Sequence, residues 1–288
     1  MKVFMDIPLS LFDLLFTCFV VSIVCYLVCY KRRLMFGSIV ILFLMITGQF
    51  IFFGSHSLDS WMGYIKLICE LVFGLGAVIG FSLLSRRLQV SYLSAFTLFV
   101  NIAVLGNIAM MIVIPSEGTY RGLTSKVTCI LLVVWLIQEI IKNRWRTTQY
   151  QNGFFLFNSV PLAWIFSHCI YRIGLITLPI FDSYRYILLE PISLVLMYVF
   201  YRIHKAGHPV RFYFGLADTV AVSTLAIAEQ FLGWLAPLRM PASEVIHFSQ
   251  NQLDMMVVPI QMGVAVFALR AIVNNLRHSP VSLSLKHQ

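Results

Sequence analysis

Several side chains that could bind an anion or move a proton lie within apolar stretches of this sequence. His168 and Arg172 are one helical turn apart, Glu190 follows in the next apolar stretch, and Glu229 lies in the one after. A guanidinium is a planar fork of donors that suits phosphate or carboxylate. A carboxylate beside a histidine can transfer protons. These residues are therefore candidates for a site that binds an anionic ligand.

The candidate site extends to other polar residues near the same depth. The catalytic candidates are Arg172, Glu229 and His168, and the substrate-binding candidates are Glu190, Gln230, His247, Gln252 and Arg185. An ionisable side chain in the middle of a membrane costs roughly 2.5–3.5 kcal/mol, so each one needs a partner, a cavity or a function. Satisfied ion pairs that only join helices are the structural alternative. Because most of these residues map to the outer halves of the predicted spans, we expect a polar site that opens towards the outer leaflet.

The composition places these residues in a membrane protein. Hydrophobic residues make up 59% of the chain, charged residues 11%, and the mean hydropathy is +0.86. Soluble domains carry about 25% charged residues. The longest polar stretches, 115–126 and 235–252, have the length of loops. The net charge of +9 is divided among short clusters between apolar stretches, which does not favour nucleic-acid binding. We therefore expect one transmembrane domain over residues 1–288 and no soluble domain.

The apolar stretches predict an all-α, polytopic integral membrane protein with about nine transmembrane helices, within a range of seven to nine. The predicted spans are 8–30, 34–53, 64–85, 92–114, 124–141, 153–176, 186–203, 212–234 and 253–275. Each is about long enough to cross a hydrocarbon core of about 30 Å. Basic clusters follow every second span, beginning with the first. Since such clusters favour the cytoplasmic side, the amino end is predicted outside and the carboxyl end inside.

No pattern in the sequence indicates a metal or a cofactor. The six cysteines lie in apolar stretches and form no CxxC pair, and none stands near histidine at the spacing of metal ligands. Gly76 and Gly80 lie four residues apart in a predicted membrane helix. This spacing predicts close helix packing, because small residues let backbones approach one another.

Short motifs follow one another in a fixed order through the carboxyl-terminal half. They are Tyr171-Arg172-Ile173-Gly174, Tyr186-Ile187-Leu188-Leu189-Glu190, Tyr201-Arg202, Gly215-Leu216, Glu229-Gln230-Phe231 and Ser249-Gln250-Asn251-Gln252. In order and approximate spacing, this series resembles the prolipoprotein diacylglyceryl transferase family. The resemblance makes residues 153–275 a transferase-like core.

The resemblance implies an activity, two partners and a location. Members of the family move the diacylglyceryl group of phosphatidylglycerol to the cysteine thiol of a lipoprotein precursor. The reaction takes place at the outer face of the bacterial inner membrane, so a multi-pass inner-membrane protein is implied. On this reading Arg172 binds the headgroup phosphate, and Glu190 and Glu229 position the headgroup or relay protons. Phosphatidylglycerol and a lipoprotein precursor peptide are the implied partners.

Departures from the family pattern leave two other functions open. Leu175 replaces the asparagine of the arginine signature, Leu225 replaces a family arginine, and no His-Gly-Gly motif is present. A non-catalytic membrane protein that binds lipid or a partner on the same scaffold is one alternative. A transporter of a small solute or an ion, with an acidic outer vestibule, is the other. Whether the chain is an enzyme therefore stays a question for an assay of turnover.

Overall fold

The computed structural model shows a protein that is helical over most of the described residues. The described residues are 4–8, 11–53, 61, 64–65, 68–114, 116, 118–143, 149–151, 154–156, 160–179, 189–204 and 245–277. The elements are β1 (Phe4–Pro8), α1 (Leu11–Tyr30), α2 (Arg32–Phe53), α3 (Ala77–Leu83), α4 (Arg86–Met110), α5 (Tyr120–Asn143), β2 (Gln149–Gln151), β3 (Phe154–Leu156), α6 (Leu162–Ile176), α7 (Leu189–His204), β4 (Val245–Ser249) and α8 (Gln250–Arg277). A π-helical segment, Cys69–Gly76, runs into α3, and a 3-10 turn, Met111–Val113, follows α4.

Four of the described helical segments are long and apolar enough to cross a membrane. They are Arg32–Phe52, Arg86–Val113, Tyr120–Lys142 and Gln250–Arg277. Large apolar side chains on these helices point outward, and Phe52, Val113 and Met255 are each more than three-quarters exposed. Such a surface is rare on soluble proteins but suits contact with lipid tails. The predicted class, an all-α membrane protein, is therefore confirmed, whereas the count of nine spans and their orientation stay predictions.

The starts of several predicted spans differ from the helix starts. Helix α4 begins at Arg86, six residues before the predicted span. Helix α5 begins at Tyr120, four residues before the predicted span. Helix α6 begins only at Leu162, although the predicted span begins at 153, because Phe154–Leu156 pair with Gln149–Gln151 as antiparallel strands. The predicted span 212–234 lies outside the described residues.

Helices α5 and α8 run parallel to each other along their whole lengths. At their first turns, Arg121 of α5 contacts Asp254 of α8. At their last turns, Asn275 Nδ2 of α8 donates to Glu139 Oε1 of α5 at 2.8 Å, and Lys142 Nζ donates to Asn275 Oδ1 at 3.2 Å. The basic carboxyl-terminal ends of the two helices therefore lie side by side, as expected if both end on one face of the membrane.

Helix α6 packs antiparallel against both of these helices. Trp164 Nε1, near the start of α6, donates to the carbonyl of Leu132 in α5 at 2.9 Å. Just beyond the end of α6, the carbonyl of Thr177 accepts a hydrogen bond from Arg121 Nε at 3.1 Å. Together α5, α6 and α8 form a three-helix core that holds the candidate site residues of α6.

A second set of contacts joins α2 to the π-helical segment and α3. A Cβ on Gly80 would lie 2.9 Å from Phe36 Cε2, and one on Gly76 would lie 3.2 Å from Ile39 Cγ2. The predicted close packing at these two glycines is thus confirmed. Helix α1 contacts α7, and the strand that precedes α1 pairs antiparallel with the strand that precedes α8.

Candidate functional site: a buried charged cluster

Three of the predicted site residues come together between α6 and α7. Arg172 Nε lies 3.3 Å from Glu190 Oε2, and His168 Nδ1 lies 3.5 Å from Glu190 Oε1. We call His168, Arg172 and Glu190 the charged cluster. The expected pairing of Arg172 with Glu190, with His168 one turn away, is therefore what the structure shows.

Helix geometry accounts for this arrangement. His168 and Arg172 are four residues apart on α6, so their side chains leave the same face of the helix. Glu190 lies in the first turn of α7. A carboxylate is favoured there because the amino end of a helix carries a partial positive charge. The glutamate is thus stabilised by its own helix as well as by the cations of α6.

The charged cluster is largely buried, and Arg172 is its most exposed member. His168 is 4% exposed and Glu190 is 5% exposed, whereas the side chain of Arg172 is 16% exposed. Within the described residues, neither oxygen of Glu190 accepts a hydrogen bond. The contacts from Arg172 and His168 to Glu190 are short enough for ion pairs, but their angles do not suit hydrogen bonds. Nearby charge therefore compensates Glu190, but no donor satisfies its oxygens.

The imidazole of His168 is held in place by an aromatic stack. The rings of Trp164 and His168 are nearly parallel, with an interplanar angle of 9° and centroids 4.9 Å apart. Trp164 is fixed in turn by its hydrogen bond to the carbonyl of Leu132. One face of the imidazole thus lies on the indole while its Nδ1 faces Glu190. This arrangement limits rotation of the ring and keeps the histidine directed at the carboxylate.

The charged cluster combines three chemical abilities. Arg172 can bind an anion through its guanidinium, which has five N–H donors. Glu190 can accept hydrogen bonds from a ligand, and the His168–Glu190 pair can take up and release a proton. In the described part of the chain, His, Cys, Asp and Glu do not gather in any group that could hold a metal ion. Anion binding and proton transfer are therefore the chemistry that these residues support.

The other predicted site residues lie elsewhere. Gln252 lies in the first turn of α8, where its Oε1 accepts from the amide of Ser249 at 2.8 Å and its own amide donates to Ser249 Oγ at 3.2 Å. This reciprocal pair is a capping box, so the structure gives Gln252 a role in starting a helix. The backbone of His247 lies in β4, opposite Asp6 of β1. Glu229, Gln230 and Arg185 lie outside the described residues.

Sequence reasoning missed a second buried ion pair, at the beginning of α5. Arg121 is fully buried, and its Nη1 lies 2.6 Å from Asp254 Oδ1. Its other hydrogen bonds reach the carbonyl of Thr177 and both the carbonyl and the side chain of Gln250. Asp254 also accepts from the amides of Tyr120 and Arg121, at 3.1 and 3.3 Å. We call this group the outer clasp, after the side of the membrane on which the sequence predicts it to lie, because it ties together the ends of α5, α6 and α8.

One local signal could have placed Arg121 inside a helix. Thr119 precedes α5, and its hydroxyl accepts a hydrogen bond from the amide of Gly122 at 3.1 Å. Threonine is a favoured residue at this capping position. A helix start at Thr119 would have put Arg121 in the first turn, where a positive charge is unfavourable without an acidic partner. The identity of that partner, Asp254, follows only from the three-dimensional contacts.

A polar seam joins α5 and α8 below the outer clasp. Gln261 is fully buried, and its side chain accepts from Thr124 Oγ1 and donates to Ser125 Oγ. Thr128 Oγ1 donates to the backbone carbonyl of Gln261 at 3.2 Å. The side chain of Gln261 is therefore satisfied by residues of α5, which gives this buried polar residue a structural role.

Comparison with known proteins gives no family assignment. No family model, no curated protein and no solved structure matches this chain.

Proposed function

We propose that this protein binds the headgroup of phosphatidylglycerol at the charged cluster, as a diverged diacylglyceryl transferase-like protein of the bacterial inner membrane. The observation that supports the proposal is the meeting of Arg172, His168 and Glu190 at 3.3 and 3.5 Å. Three ionisable side chains rarely share one place in a membrane helix bundle unless they act on a ligand or a proton. The choice of lipid and of reaction comes from the motif series in the carboxyl-terminal half, which resembles the diacylglyceryl transferase family.

Arg172 is the proposed phosphate ligand. It is the most exposed member of the charged cluster, so a headgroup reaches it first. The ion pair with Glu190 involves Nε. A guanidinium can bind a carboxylate along one edge and a phosphate along another, because its donors lie in a plane and point in different directions. Glu190 thereby orients the guanidinium as well as balancing its charge.

The His168–Glu190 pair is the proposed acceptor of the thiol proton. When a cysteine thiol of a precursor peptide gives up this proton, its sulfur attacks the carbon of the diacylglycerol moiety that bears the phosphate. A carbon–sulfur bond forms as the carbon–oxygen bond to phosphate breaks, and glycerol phosphate leaves. The positive charge gained by His168 is balanced by Glu190 and attracted by the stacked indole of Trp164.

The test is a binding and turnover assay on the purified full chain in nanodiscs. We expect phosphatidylglycerol to bind, and Arg172→Gln to weaken binding tenfold or more, since a charge-assisted contact is lost. Arg270→Gln is the matched control, because Arg270 is an exposed arginine of α8. Labelled phosphatidylglycerol and a lipobox peptide then report turnover as a thioether product. Unchanged binding in Arg172→Gln would overturn the proposal.

A non-catalytic lipid-binding protein is the second candidate. The observation that favours it is Leu175, which is buried at 3% exposure where the family signature has an asparagine. An apolar side chain there cannot donate a hydrogen bond to a headgroup. Binding of phosphatidylglycerol without any thioether product, under conditions in which a lipobox peptide is bound, would assign this second function.

A further inference from the structure

A few buried polar atoms lack a hydrogen-bond partner, and they lie along α5 and α6. Among the residues that the structure describes, these side-chain atoms are both carboxylate oxygens of Glu190, the hydroxyl of Tyr171 and Oε1 of Gln138. Tyr171 belongs to α6 and Gln138 to α5, and Glu190 contacts α6 through the charged cluster. Buried polar atoms in folded proteins almost always bind a protein group, a water or a ligand. These atoms are therefore places where internal water can bind.

Tyr171 connects the charged cluster to α5. Its side chain is fully buried, and its ring centroid lies 6.1 Å from that of His168. On its other side the hydroxyl lies beside Cys129 of α5, although the two groups are not aligned for a hydrogen bond. A phenolic hydroxyl both donates and accepts hydrogen bonds. It can therefore receive a proton from one neighbour while it passes its own to another.

A second carboxylate lies near the other end of α5. Glu139 is 9% exposed, and it accepts from Trp135 Nε1 at 3.3 Å and from Asn275 Nδ2 at 2.8 Å. Gln138, with its unpartnered oxygen, precedes it directly, and the exposed Lys142 follows within one turn. The three-helix core thus has an acid–base group towards each of its ends.

The antiparallel packing of α5 and α6 sets the separation of these two groups. The two hydrogen bonds between the helices place His168 beside the turn of α5 that holds Cys129. Cys129 and Glu139 are about 15 Å apart along α5 at about 1.5 Å per residue, which is about half of a hydrocarbon core. Leu132 and Leu136, both fully buried, lie in this interval. Water must therefore cross an apolar layer between the two polar regions.

We propose that this protein conducts protons slowly across the membrane, along internal water that joins the charged cluster to Glu139 past Tyr171. The His168–Glu190 pair takes up a proton at one end, and Glu139 releases one at the other. Between them each O–H bond that breaks is replaced by one that forms, so one proton moves and no other bond changes. The apolar layer keeps the flux slow. This activity does not depend on the binding of a lipid.

The charges around the entrance favour a proton over a metal cation. Arg172 stands beside Glu190, with 3.3 Å between Nε and Oε2. A sodium or potassium ion would pass this guanidinium as a separate positive charge, which repels it. A proton is instead carried on the imidazole of His168, where Glu190 balances its charge at 3.5 Å.

The experiment measures proton entry into liposomes that contain the purified full chain. The liposomes consist of phosphatidylcholine alone, so the result is independent of phosphatidylglycerol. A potassium gradient with valinomycin sets the membrane potential, and a trapped pH-sensitive dye reports the internal pH. We expect protons to enter faster than into liposomes without protein. A sodium-sensitive dye, in a parallel experiment at equal pH on both sides, should report no sodium entry.

Tyr171→Phe tests the route, and Tyr198→Phe is its matched control. The first variant removes only an unpartnered hydroxyl, so it should fold, and the second alters an exposed tyrosine of α7. We expect Tyr171→Phe to slow proton entry about tenfold, since one hydrogen bond in the relay is lost. Tyr198→Phe should conduct like the unaltered protein. Glu190→Gln and Glu139→Gln should each reduce the rate to that of liposomes without protein.

Three outcomes would overturn the inference. They are proton entry no faster than without protein, equal rates in Tyr171→Phe and the unaltered protein, and sodium entry through the same chain. If either glutamine variant does not fold, the unaltered protein and Tyr171→Phe still decide. Proton conduction that Tyr171→Phe slows and Tyr198→Phe does not would support the route.

Discussion

The side-chain amide of Gln261 occupies the space that a side chain on Gly174 would need. A Cβ on Gly174 would lie 2.6 Å from Gln261 Nε2 and 3.0 Å from Val257 Cγ1. Helices α6 and α8 are therefore in close contact at Gly174, two residues from Arg172. Gly174 belongs to one of the motifs in the carboxyl-terminal half, and its lack of a side chain lets α6 pack closely against α8.

Gly174→Ala should destabilise the protein by about 1–3 kcal/mol, because the added methyl group overpacks a buried crossing. The free energy of unfolding is measured by SDS titration in mixed micelles, followed by tryptophan fluorescence. Gly263→Ala is the matched control on α8, since nothing lies within 4 Å of the Cβ it would add. The control should be neutral or slightly stabilising. Equal losses in both variants would contradict the crossing described above.

Breaking the outer clasp should be more costly. Arg121→Gln and Asp254→Asn each leave one buried charge without its partner, so each should reduce the free energy of unfolding by about 3–5 kcal/mol. The double variant removes both charges and should lose clearly less than the sum. The same SDS titration measures this coupling, with exposed Arg87→Gln as control. Additive losses would show that the two side chains do not depend on each other.

The capping box of α8 gives a prediction about Gln252 that is independent of any ligand. Gln252→Ala should cost about 1 kcal/mol of stability and speed hydrogen exchange in the first turn of α8, because a terminal amide loses its acceptor. Gln252→Glu should behave like the unaltered protein, since its carboxylate still accepts. Asn251→Ala, an exposed neighbour, is the control. Fast exchange in Gln252→Glu would show that capping is not its role.

The parallel arrangement of α5 and α8 predicts how their ends face the membrane. In a variant without native cysteines, Lys142→Cys and Arg277→Cys should both be protected from a membrane-impermeant thiol reagent in intact cells. Tyr120→Cys, at the other end of α5, should react. Opposite behaviour of the first two would contradict the parallel helices. Reaction of both, with protection at Tyr120, would reverse the predicted orientation.

Apolar stretches sufficed to predict most of the described helices, because burying about 20 apolar residues in lipid leaves few other structures possible. Helix ends were harder to predict where local chemistry sets them. The hydroxyl of Thr119 starts α5 ahead of its apolar stretch. The pairing of β2 with β3 delays α6, although Phe154–Leu156 is as apolar as the helix that follows. Hydropathy is insensitive to both effects.

The charged cluster was partly accessible to sequence reasoning, and the outer clasp was not. Arg172 and Glu190 flank one short connection, so adjacent helices bring them to similar depth. Arg121 and Asp254 are separated by 133 positions and lie on helices that are not consecutive. Nothing in their local sequence tells which helices become neighbours. Glu229 and Arg185, which lie outside the described residues, stay predictions.

The outer clasp has a consequence for how the chain is made. Arg121 precedes Asp254 by 133 residues. Because ribosomes add about 5–20 residues per second, Asp254 is synthesised about 7–27 seconds after Arg121. Throughout that interval the guanidinium lacks the carboxylate that it contacts in the folded protein. It must wait near the headgroups, with its aliphatic stem along the lipid. The first turn of α5 therefore reaches its final arrangement only after α8 has been made, and the attraction between Arg121 and Asp254 helps to bring the two helices together.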